Sequence, residues 1–381
     1  MDIPAPLRVG ISATPTEGSA IPERPDGIGV YTRELTAAYA LRDDVVPIPV
    51  VIGPRALRHA PPGALALPQR AAVSAAVSWA TGAVAVGARQ LARRIDVFHA
   101  SDYRIPRLRG TPVCATLFDA IPLSHPEWAN PRMRGPKNFL LRQSARWADH
   151  VLAISHAMVP ELVEQYGIPA ARISVTPLGV DARWFERESP QRVTAVCMRF
   201  DVARGYFLCV GTLQPRKNVE RIIEAYRRLP ARMQQERQLV IVGKAGWRAG
   251  ELVKTLRALA VHGRVRWLDY VEADELRALY QGASAFVFPS LYEGFGLPML
   301  EAFASGIPVV TSTTTSLPEV AGDAALLVDP TDTDDIAAAM ARVMDDLALA
   351  DRLKEAGLAR ARTYTWARCA EETVAVMRAL L

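Results

Sequence analysis

Two kinds of segment alternate along this 381-residue chain, and their alternation limits its fold more than any other feature of the sequence. Short runs rich in Val, Ile, Leu and Phe are followed by longer stretches with helical periodicity. This alternation is typical of parallel sheets whose strands are joined by crossover helices. In the first half we expect strands at Leu7–Ser12, Val45–Ile52, Val97–Ala100, Val113–Phe118, Val151–Ser155 and Ile173–Pro177.

The same alternation begins again after a polar and weakly patterned stretch at Asp181–Arg204. The strands expected in this second half are Tyr206–Val210, Leu239–Val242, Val265–Leu268, Ala285–Pro289 and Val309–Ser312. We therefore predict two doubly wound α/β domains, at residues 1–190 and 191–364, and a C-terminal helix at 365–381 that packs back on the N-terminal domain. Ligands of such domains bind at the carboxyl ends of the strands, so two of them facing each other would form a cleft for two substrates.

The composition is that of a folded globular chain, since half of the residues are hydrophobic and 22% are charged. The first residues do not have the pattern of a signal peptide. The uncharged stretch from Ala71 to Ala88 contains almost no Leu, Ile or Phe, so it is too weakly apolar for a membrane span. We predict a buried or surface-lying helix there, with Val73, Val77, Val84 and Leu91 near one face.

The charge is uneven, which leaves several partners open. The net charge is +5, and between Arg89 and Arg146 there are 11 basic residues against 4 acidic ones. An anionic membrane surface, a phosphorylated substrate or plain solvation would each suit this segment. No nucleic-acid-binding module is recognisable, so no nucleic-acid partner is expected. The cysteines lack metal-ligand or redox spacing and are predicted to be buried thiols: Cys114, Cys197, Cys209 and Cys369.

The densest motif spans Ser290–Glu301, with the sequence SLYEGFGLPMLE. It follows a predicted strand and leads into a helix. Gly294 and Gly296 let the backbone approach a ligand closely, and the helix start offers N–H groups and the positive end of a dipole. These features predict an anion site made of backbone. Glu293 and Glu301 would repel a phosphate, so hydrogen bonds from sugar hydroxyls are the expected role of their carboxylates.

This motif resembles that of the retaining glycosyltransferases of family four, in which two glutamates separated by seven residues flank Gly-Phe-Gly-Leu-Pro. The family has the GT-B fold, two Rossmann-like domains facing a cleft, and the resemblance covers nearly the whole chain. It implies a nucleotide-sugar donor in the C-terminal domain and a saccharide or lipid-linked acceptor against the N-terminal domain. Glu293 is assigned to catalysis, and the substrate-binding residues of the motif are Gly294, Phe295, Gly296, Leu297 and Glu301.

A second strand–loop–helix segment, Val210–Asn218, places Arg216 and Lys217 at the end of a strand. Only five of the 45 basic residues of the chain are Lys, which argues against a compositional origin of Lys217. An arginine grips phosphate with two hydrogen bonds, and a lysine adds a point charge. The resemblance agrees, since the family binds the donor diphosphate with an Arg and a Lys at this place. Arg216 and Lys217 are therefore assigned to catalysis together with Glu293.

Two further segments lie in the first half. Arg24–Leu35 contains Gly27 and Gly29 in a loop that opens a helix, and the family has a similar loop that reaches the donor. Thr116–Trp128 contains Asp119 at the end of a strand, where a catalytic residue belongs. Many family members have His-Asp at this point, whereas this chain has Phe118-Asp119. Whether His125 replaces the missing histidine stays open, and a structural role beside Pro126 is the alternative.

Smaller signals complete the prediction. Tyr270 and Val271 resemble the segment that packs against the nucleotide base, mainly through backbone. Ser155 resembles a serine beneath the cleft, although a plain helix cap fits it equally. The acidic run Thr331–Asp335 is interpreted as a helix cap, not a metal site. No other carboxylate cluster suggests a metal, and no cofactor is expected besides the nucleotide-sugar substrate.

The predicted function is therefore hexosyl transfer with retention of the anomeric configuration. Asp119 to Trp128 looks most like mannosyl- and rhamnosyltransferases of bacterial surface-polysaccharide assembly, so GDP-mannose is the leading donor. The expected location is the cytoplasm, with peripheral contact to the inner face of the plasma membrane. A sugar-nucleotide epimerase with the same fold and a non-catalytic sugar-nucleotide-binding subunit are the alternatives.

Overall fold

The computed structural model describes residues 5–14, 27–54, 60–128 and 133–381. The chain forms two compact units. Unit 1 consists of the chain up to Gly179 together with Thr365–Leu381, and unit 2 is Val180–Tyr364. The predicted boundary after residue 190 is thus too late, because residues 180–190 belong to unit 2. Ion pairs explain this, since Arg277 of unit 2 binds both Glu186, at 3.2 Å, and Glu188, at 3.0 Å.

A parallel sheet forms the centre of unit 1. In its described residues the strands are β1 (Leu7–Ser12), β2 (Val45–Ile52), β3 (Leu65–Leu67), β4 (Val97–Ala100), β5 (Val113–Leu117), β6 (His150–Ala153) and β7 (Ile173–Val175). Their order is β3-β2-β1-β4-β5-β6-β7, and every neighbouring pair is parallel. All residues of β4 and β5 are buried, as expected for a parallel sheet that is covered on both faces.

Helices connect these strands. The described helices before the crossing to unit 2 are α1 (Gly27–Ala40), α2 (Ala71–Thr81), α3 (Ala88–Ala92), α4 (Ile121–Ser124), α5 (Arg134–Ala145) and α6 (Val159–Tyr166). The prediction that one helix carries Val73, Val77, Val84 and Leu91 near one face is wrong. Helix α2 ends at Gly82, which adopts a left-handed conformation with φ +73° and donates its N–H to Ser78 O. Val73 and Val77 are therefore exposed on α2, whereas Leu91 is buried on α3.

Unit 2 is built on a second parallel sheet. Its described strands are β8 (Phe207–Val210), β9 (Leu239–Val242), β10 (Val265–Leu268), β11 (Ala285–Phe288), β12 (Val309–Ser312) and β13 (Ala325–Val328). Their order is β10-β9-β8-β11-β12-β13, again with parallel pairing throughout. The order reverses between β8 and β11, and at such switch points α/β sheets bind their ligands.

The helices of unit 2 flank this sheet: α7 (Pro190–Arg199), α8 (Val219–Arg228), α9 (Ala231–Glu236), α10 (Gly250–Ala260), α11 (Ala273–Gly282), α12 (Leu297–Ala304), α13 (Leu317–Ala321), α14 (Thr333–Asp345) and α15 (Leu347–Arg362). The cap prediction for the acidic run is confirmed, since Asp332 accepts the backbone N–H groups of Asp334 and Asp335 at the start of α14.

The last helix, α16 (Trp366–Arg378), belongs to unit 1. Trp366 contacts Tyr31 of α1, with 6.1 Å between the ring centroids, and Arg378 forms an ion pair with Asp44 at 3.0 Å. This position agrees with the prediction that the C-terminal helix packs back on the N-terminal domain. All four cysteines are buried and none forms a disulfide, so the prediction of buried thiols is confirmed.

Candidate active site

The fold brings together the ends of two neighbouring strands of unit 2. Strand β8 leads through Gly211 into a 3₁₀ turn at Pro215–Lys217, and β11 leads into the loop that precedes α12. Because β8 and β11 pair in parallel, both loops leave the same edge of the sheet at its switch point. The two motifs predicted from separate parts of the sequence therefore lie side by side.

Glu293 joins these loops through two ion pairs. Its Oε2 lies 2.8 Å from Nη1 of Arg216, and its Oε1 lies 2.6 Å from Nζ of Lys217. The carboxylate and the lysine are both buried, with 8% and 9% of their side chains exposed, whereas 22% of the Arg216 side chain is exposed. The site thus carries two cations and one anion. The ion pairs with the two cations were not foreseen, and the hydrogen bond from a sugar hydroxyl to Glu293 stays a prediction.

Burial and charge oppose each other in this triad. Burial would raise the pKa of Glu293, but the nearby charges of Arg216 and Lys217 outweigh it and hold that pKa below its ordinary value. Burial also lowers the pKa of Lys217, which the ion pair with Glu293 offsets only in part. The ammonium group lies 4.7 Å from the ring centroid of Phe288, where a cation–π contact adds stabilisation.

Side chains of the loop after β12 hold Glu293 by its backbone. Its N–H donates to Oγ1 of Thr315 at 3.1 Å, and its carbonyl accepts the hydroxyl of Ser316 at 2.8 Å. Thr315 has a φ of +56°, a left-handed conformation that a β-branched residue rarely adopts. Sequence reasoning missed these residues. The run of three threonines and a serine directly after a strand was the available signal.

Asn218 is a second supporting residue that the sequence did not single out. Its side-chain amide donates to Pro289 O at 2.9 Å and to Pro330 O at 2.7 Å, and its φ is +60°. One side chain thereby connects the end of the Arg216–Lys217 turn with the segments that follow β11 and β13. These bonds tie the end of the turn that carries the two cations to its neighbouring loops.

The glycines of the Ser290–Glu301 motif shape the turn between β11 and α12. Gly296 has a φ of +108° and caps α12, whose first turn contains Pro298. A Cβ atom at Gly296 would lie 2.8 Å from Cδ2 of Leu317, so both conformation and space require glycine. Gly294 and Leu297 are partly exposed beside it, while Phe295 is buried with its ring 5.6 Å from that of Tyr364. The loop thus presents backbone to a ligand, and Phe295 anchors it.

Glu301 lies on α12, one turn beyond the cap. Its Oε2 accepts the hydroxyl of Tyr280 at 3.0 Å. Burial raises the pKa of Glu301 to about 7, so the carboxyl changes its protonation state near neutral pH. A carboxyl with this pKa can receive a hydrogen bond from a ligand hydroxyl once it is ionised.

The segment after β10 contains Tyr270 and Val271, which are predicted to pack against the nucleotide base. Val271 is buried, and Tyr270 is partly exposed with its hydroxyl 3.0 Å from Glu272 Oε2. Their contact with a nucleotide remains a prediction.

Unit 1 holds Asp119 two residues after the end of β5. Its Oδ1 accepts the hydroxyl of Tyr103 at 3.0 Å and the N–H of Ile121 at 3.1 Å. Its carbonyl accepts the hydroxyl of Tyr166 at 3.2 Å. Burial, reinforced by Asp119, raises the pKa of Tyr103, so that hydroxyl stays protonated and donates. The carboxylate is thus held in one orientation at the end of its strand.

Phe118, the departure from the family pattern, points into the core of unit 1. It is buried, and its ring lies 5.1 Å from that of Tyr31 with the planes nearly perpendicular. His125 stacks on Trp128, with 4.2 Å between the ring centroids, and its Nδ1 lies 3.1 Å from Glu127 Oε1. These contacts fit the structural alternative for His125, and its replacement of the missing histidine stays open.

The glycine segment lies differently from the prediction. Gly27 and Gly29 are in the first turn of α1, not in a loop before the helix. Residues Arg24 to Asp26 lie outside the described residues. Ser155 stands at the cap position of a 3₁₀ turn, but its side chain does not cap that turn.

Among the residues that the structure describes, no group of three or more His, Cys, Asp or Glu side chains is arranged to hold a metal ion. In those same ranges no helix combines the length and the apolar character that a membrane span requires.

Comparison with known proteins gives the family. Residues 199–360 match the family described as glycosyl transferases group 1, and residues 25–184 match glycosyltransferase family 4. The O-antigen chain mannosyltransferase B of Escherichia coli is 34% identical over 73% of this chain and 73% of that protein. The serotype-specific mannosyltransferase WbdA of the same species is 33% identical over 66% of this chain, which spans only 31% of its length.

Solved structures agree on the fold. Anabaena HepE, determined in complex with UDP and glucose, superposes with a TM-score of 0.73 over 98% of this chain and all of that one, at 16% identity. The two parallel sheets described above are those of the GT-B fold, as predicted. The chain therefore belongs to glycosyltransferase family 4, and it is a glycosyltransferase with the GT-B fold.

Proposed function

We propose that this enzyme transfers mannose from GDP-mannose to a saccharide acceptor with retention of the anomeric configuration. The buried triad of Arg216, Lys217 and Glu293 at the switch point of unit 2 is the observation that carries the proposal. Two cations beside the start of α12 are suited to a diphosphate, because charge-assisted hydrogen bonds and the helix dipole both favour it. The mannosyltransferase relatives support mannose as the sugar.

The same groups explain how the leaving diphosphate would be stabilised. Negative charge grows on its oxygens as the bond to the anomeric carbon breaks, and groups already oriented toward that charge lower the barrier. Protein cations and backbone N–H groups would do this work without a metal ion. We further propose that the acceptor oxygen attacks on the face from which the diphosphate departs, without a protein nucleophile.

The roles of the remaining site residues follow from their positions. Glu301, with its raised pKa, would accept hydroxyls of the donor, and the Tyr270–Val271 segment would pack on the base. Asp119, held by Tyr103, would make a polar contact with the substrates. The acceptor is proposed to be lipid-linked and to meet unit 1 at the inner face of the plasma membrane.

Three measurements test this function. Thermal unfolding with GDP, UDP, ADP and dTDP identifies the donor base, because a bound nucleotide raises stability by mass action. We expect GDP to stabilise most, and an equal lack of effect from all four would contradict the proposal. Product formation from GDP-mannose by the single purified chain then separates an enzyme from a binding subunit, and the anomeric configuration of the product tests retention.

A further inference from the structure

Helices α2 and α5 of unit 1 pack side by side and expose apolar side chains. The rings of Trp79 and Phe139 meet edge to face across the two helices, with 4.9 Å between their centroids. Together with three neighbours they are 42–65% exposed, and this group is called the α2–α5 face: Val73, Val77, Trp79, Met133 and Phe139.

The orientation of α2 is the reverse of that of an ordinary surface helix. Its buried residues are Ser74, Ala75 and Ser78, whereas its valines and its tryptophan lie outside. A surface helix normally buries its apolar stripe and exposes its polar one. Trp79 and Phe139 contact each other, yet about half of each side chain remains exposed to solvent. Packing within unit 1 therefore does not explain why large apolar residues stand at these two positions.

The segments that form this face are basic, and Glu127 is the acid that lies close to their edge. No Asp or Glu occurs from Val45 to Ile95 or from Trp128 to Ala148. Helix α5 carries Arg134, Lys137 and Arg142, all exposed. Arg134 and Arg142 donate to the backbone carbonyls of Pro126 and Gln165, which orients the two guanidinium groups. Glu127 offsets part of the charge of Arg134, and three cations against one acid leave this edge positive. The face is thus an apolar centre beside a cationic edge.

We propose that the α2–α5 face binds an anionic lipid bilayer, with Trp79 and Phe139 at the boundary between headgroups and acyl chains. Tryptophan prefers this depth because its ring is apolar and its N–H is polar. Each basic residue close to an anionic surface strengthens binding about fivefold. The proposal deepens the proposed function, on which it rests for the lipid-linked acceptor.

The outward side of α2 favours a bilayer over a protein partner. It carries no charge, and its exposed polar group Thr81 already donates its hydroxyl to Val77 O at 2.7 Å. A protein interface of ordinary composition requires complementary hydrogen bonds at its rim. The hydrocarbon region of a bilayer requires no such hydrogen bonds. The cations of α5 would then lie at the depth of the lipid phosphates.

Vesicle co-sedimentation of the full chain tests the proposal. The variant Trp79→Gln/Phe139→Gln should bind mixed phosphatidylcholine–phosphatidylglycerol vesicles at least about tenfold more weakly than the wild type, because about half of each side chain is exposed apolar surface. The matched control is Trp247→Gln, which changes a tryptophan of unit 2 that is 38% exposed and should bind as the wild type does. High salt and pure phosphatidylcholine should each weaken wild-type binding.

Insertion has its own readout. Bromine-labelled acyl chains should quench part of the wild-type tryptophan fluorescence, and Trp79→Phe should remove that part while the protein still sediments with the vesicles. Equal sedimentation of the wild type and the double variant would overturn the proposal, as would recovery of the wild type in the supernatant with both vesicle types. Wild-type self-association that the double variant loses would assign the face to a second copy and overturn it equally.

Glycosyl transfer to a water-soluble acceptor separates this proposal from the proposed function. The double variant should keep wild-type activity in that assay and its thermal unfolding temperature. Absence of transfer by the wild type would contradict the proposed function. The vesicle experiments would still decide whether the α2–α5 face binds a bilayer.

Discussion

The triad at the switch point of unit 2 makes a quantitative prediction for Glu293→Gln. The substitution keeps the shape of the side chain but removes the negative charge that Arg216 and Lys217 both contact. In the nucleotide-free protein Lys217 then becomes a buried cation without its counter-charge. Removing one partner of a buried ion pair costs about 3–5 kcal/mol. We expect the lower end, about 3 kcal/mol, because the partly exposed Arg216 is solvated in the variant.

Nucleoside diphosphate should reverse this loss. In the wild type an incoming phosphate is repelled by Glu293, and at about 6 Å with an effective dielectric constant of about 20 that repulsion amounts to roughly 2–3 kcal/mol. Glu293→Gln should therefore bind GDP about 30- to 150-fold more tightly. GDP-mannose should gain less than GDP, since the hydrogen bond that Glu293 would accept from a sugar hydroxyl is weakened as well.

The pH dependence has a definite sign. Burial already lowers the pKa of Lys217, and without Glu293 that pKa falls further. The tighter GDP binding should be present at low pH, where Lys217 is protonated, and should disappear as pH rises through the lowered pKa. Urea unfolding gives the stability, and titration calorimetry at several pH values gives the affinity. The matched control is Glu251→Gln, which removes an exposed acid that pairs with Lys254. A variant that loses under about 1 kcal/mol and binds GDP no better than the wild type would refute this reasoning.

The remaining predictions concern the same site. Glu301→Ala should weaken donor binding by roughly 1.5–3 kcal/mol while the fold survives. The donor affinity of the wild type should rise with pH through about 7 as Glu301 ionises. Calorimetry checks both, and unchanged affinity in the folded variant would show that Glu301 does not belong to the site. Arg216→Ala and Lys217→Ala should each lower kcat by a factor of about 10²–10³ and change KM less, because charge develops on the diphosphate in the transition state. Steady-state kinetics measures both constants. A rise in KM alone would show that these residues merely hold the donor. Transfer should continue in excess EDTA, and a complete loss that Mg²⁺ or Mn²⁺ restores would contradict metal-independent stabilisation of the diphosphate.

Several elements could be predicted because their signals are local. The ranges of β1, β2, β4, β9, β10 and β12 agree with the prediction at both ends. Helix α15 was missed, because its buried positions include Ala350, Gly357 and Ala361, which give a weak apolar pattern. Gly357 has a packing reason that only the tertiary structure reveals, since a Cβ atom there would lie 2.7 Å from the ring of Phe303.

By itself the sequence determined the α/β class, the family motif and the two loops that carry the site, because strand, loop and helix signals depend on neighbours along the chain. It did not determine that Glu293 pairs with Arg216 and Lys217, since that contact requires β8 and β11 to be adjacent in the sheet. Nor did it determine that Phe118 turns inward or that the valines of α2 turn outward. Those directions depend on which surfaces remain for a side chain once the sheets and helices have packed, and no pattern along the chain encodes this.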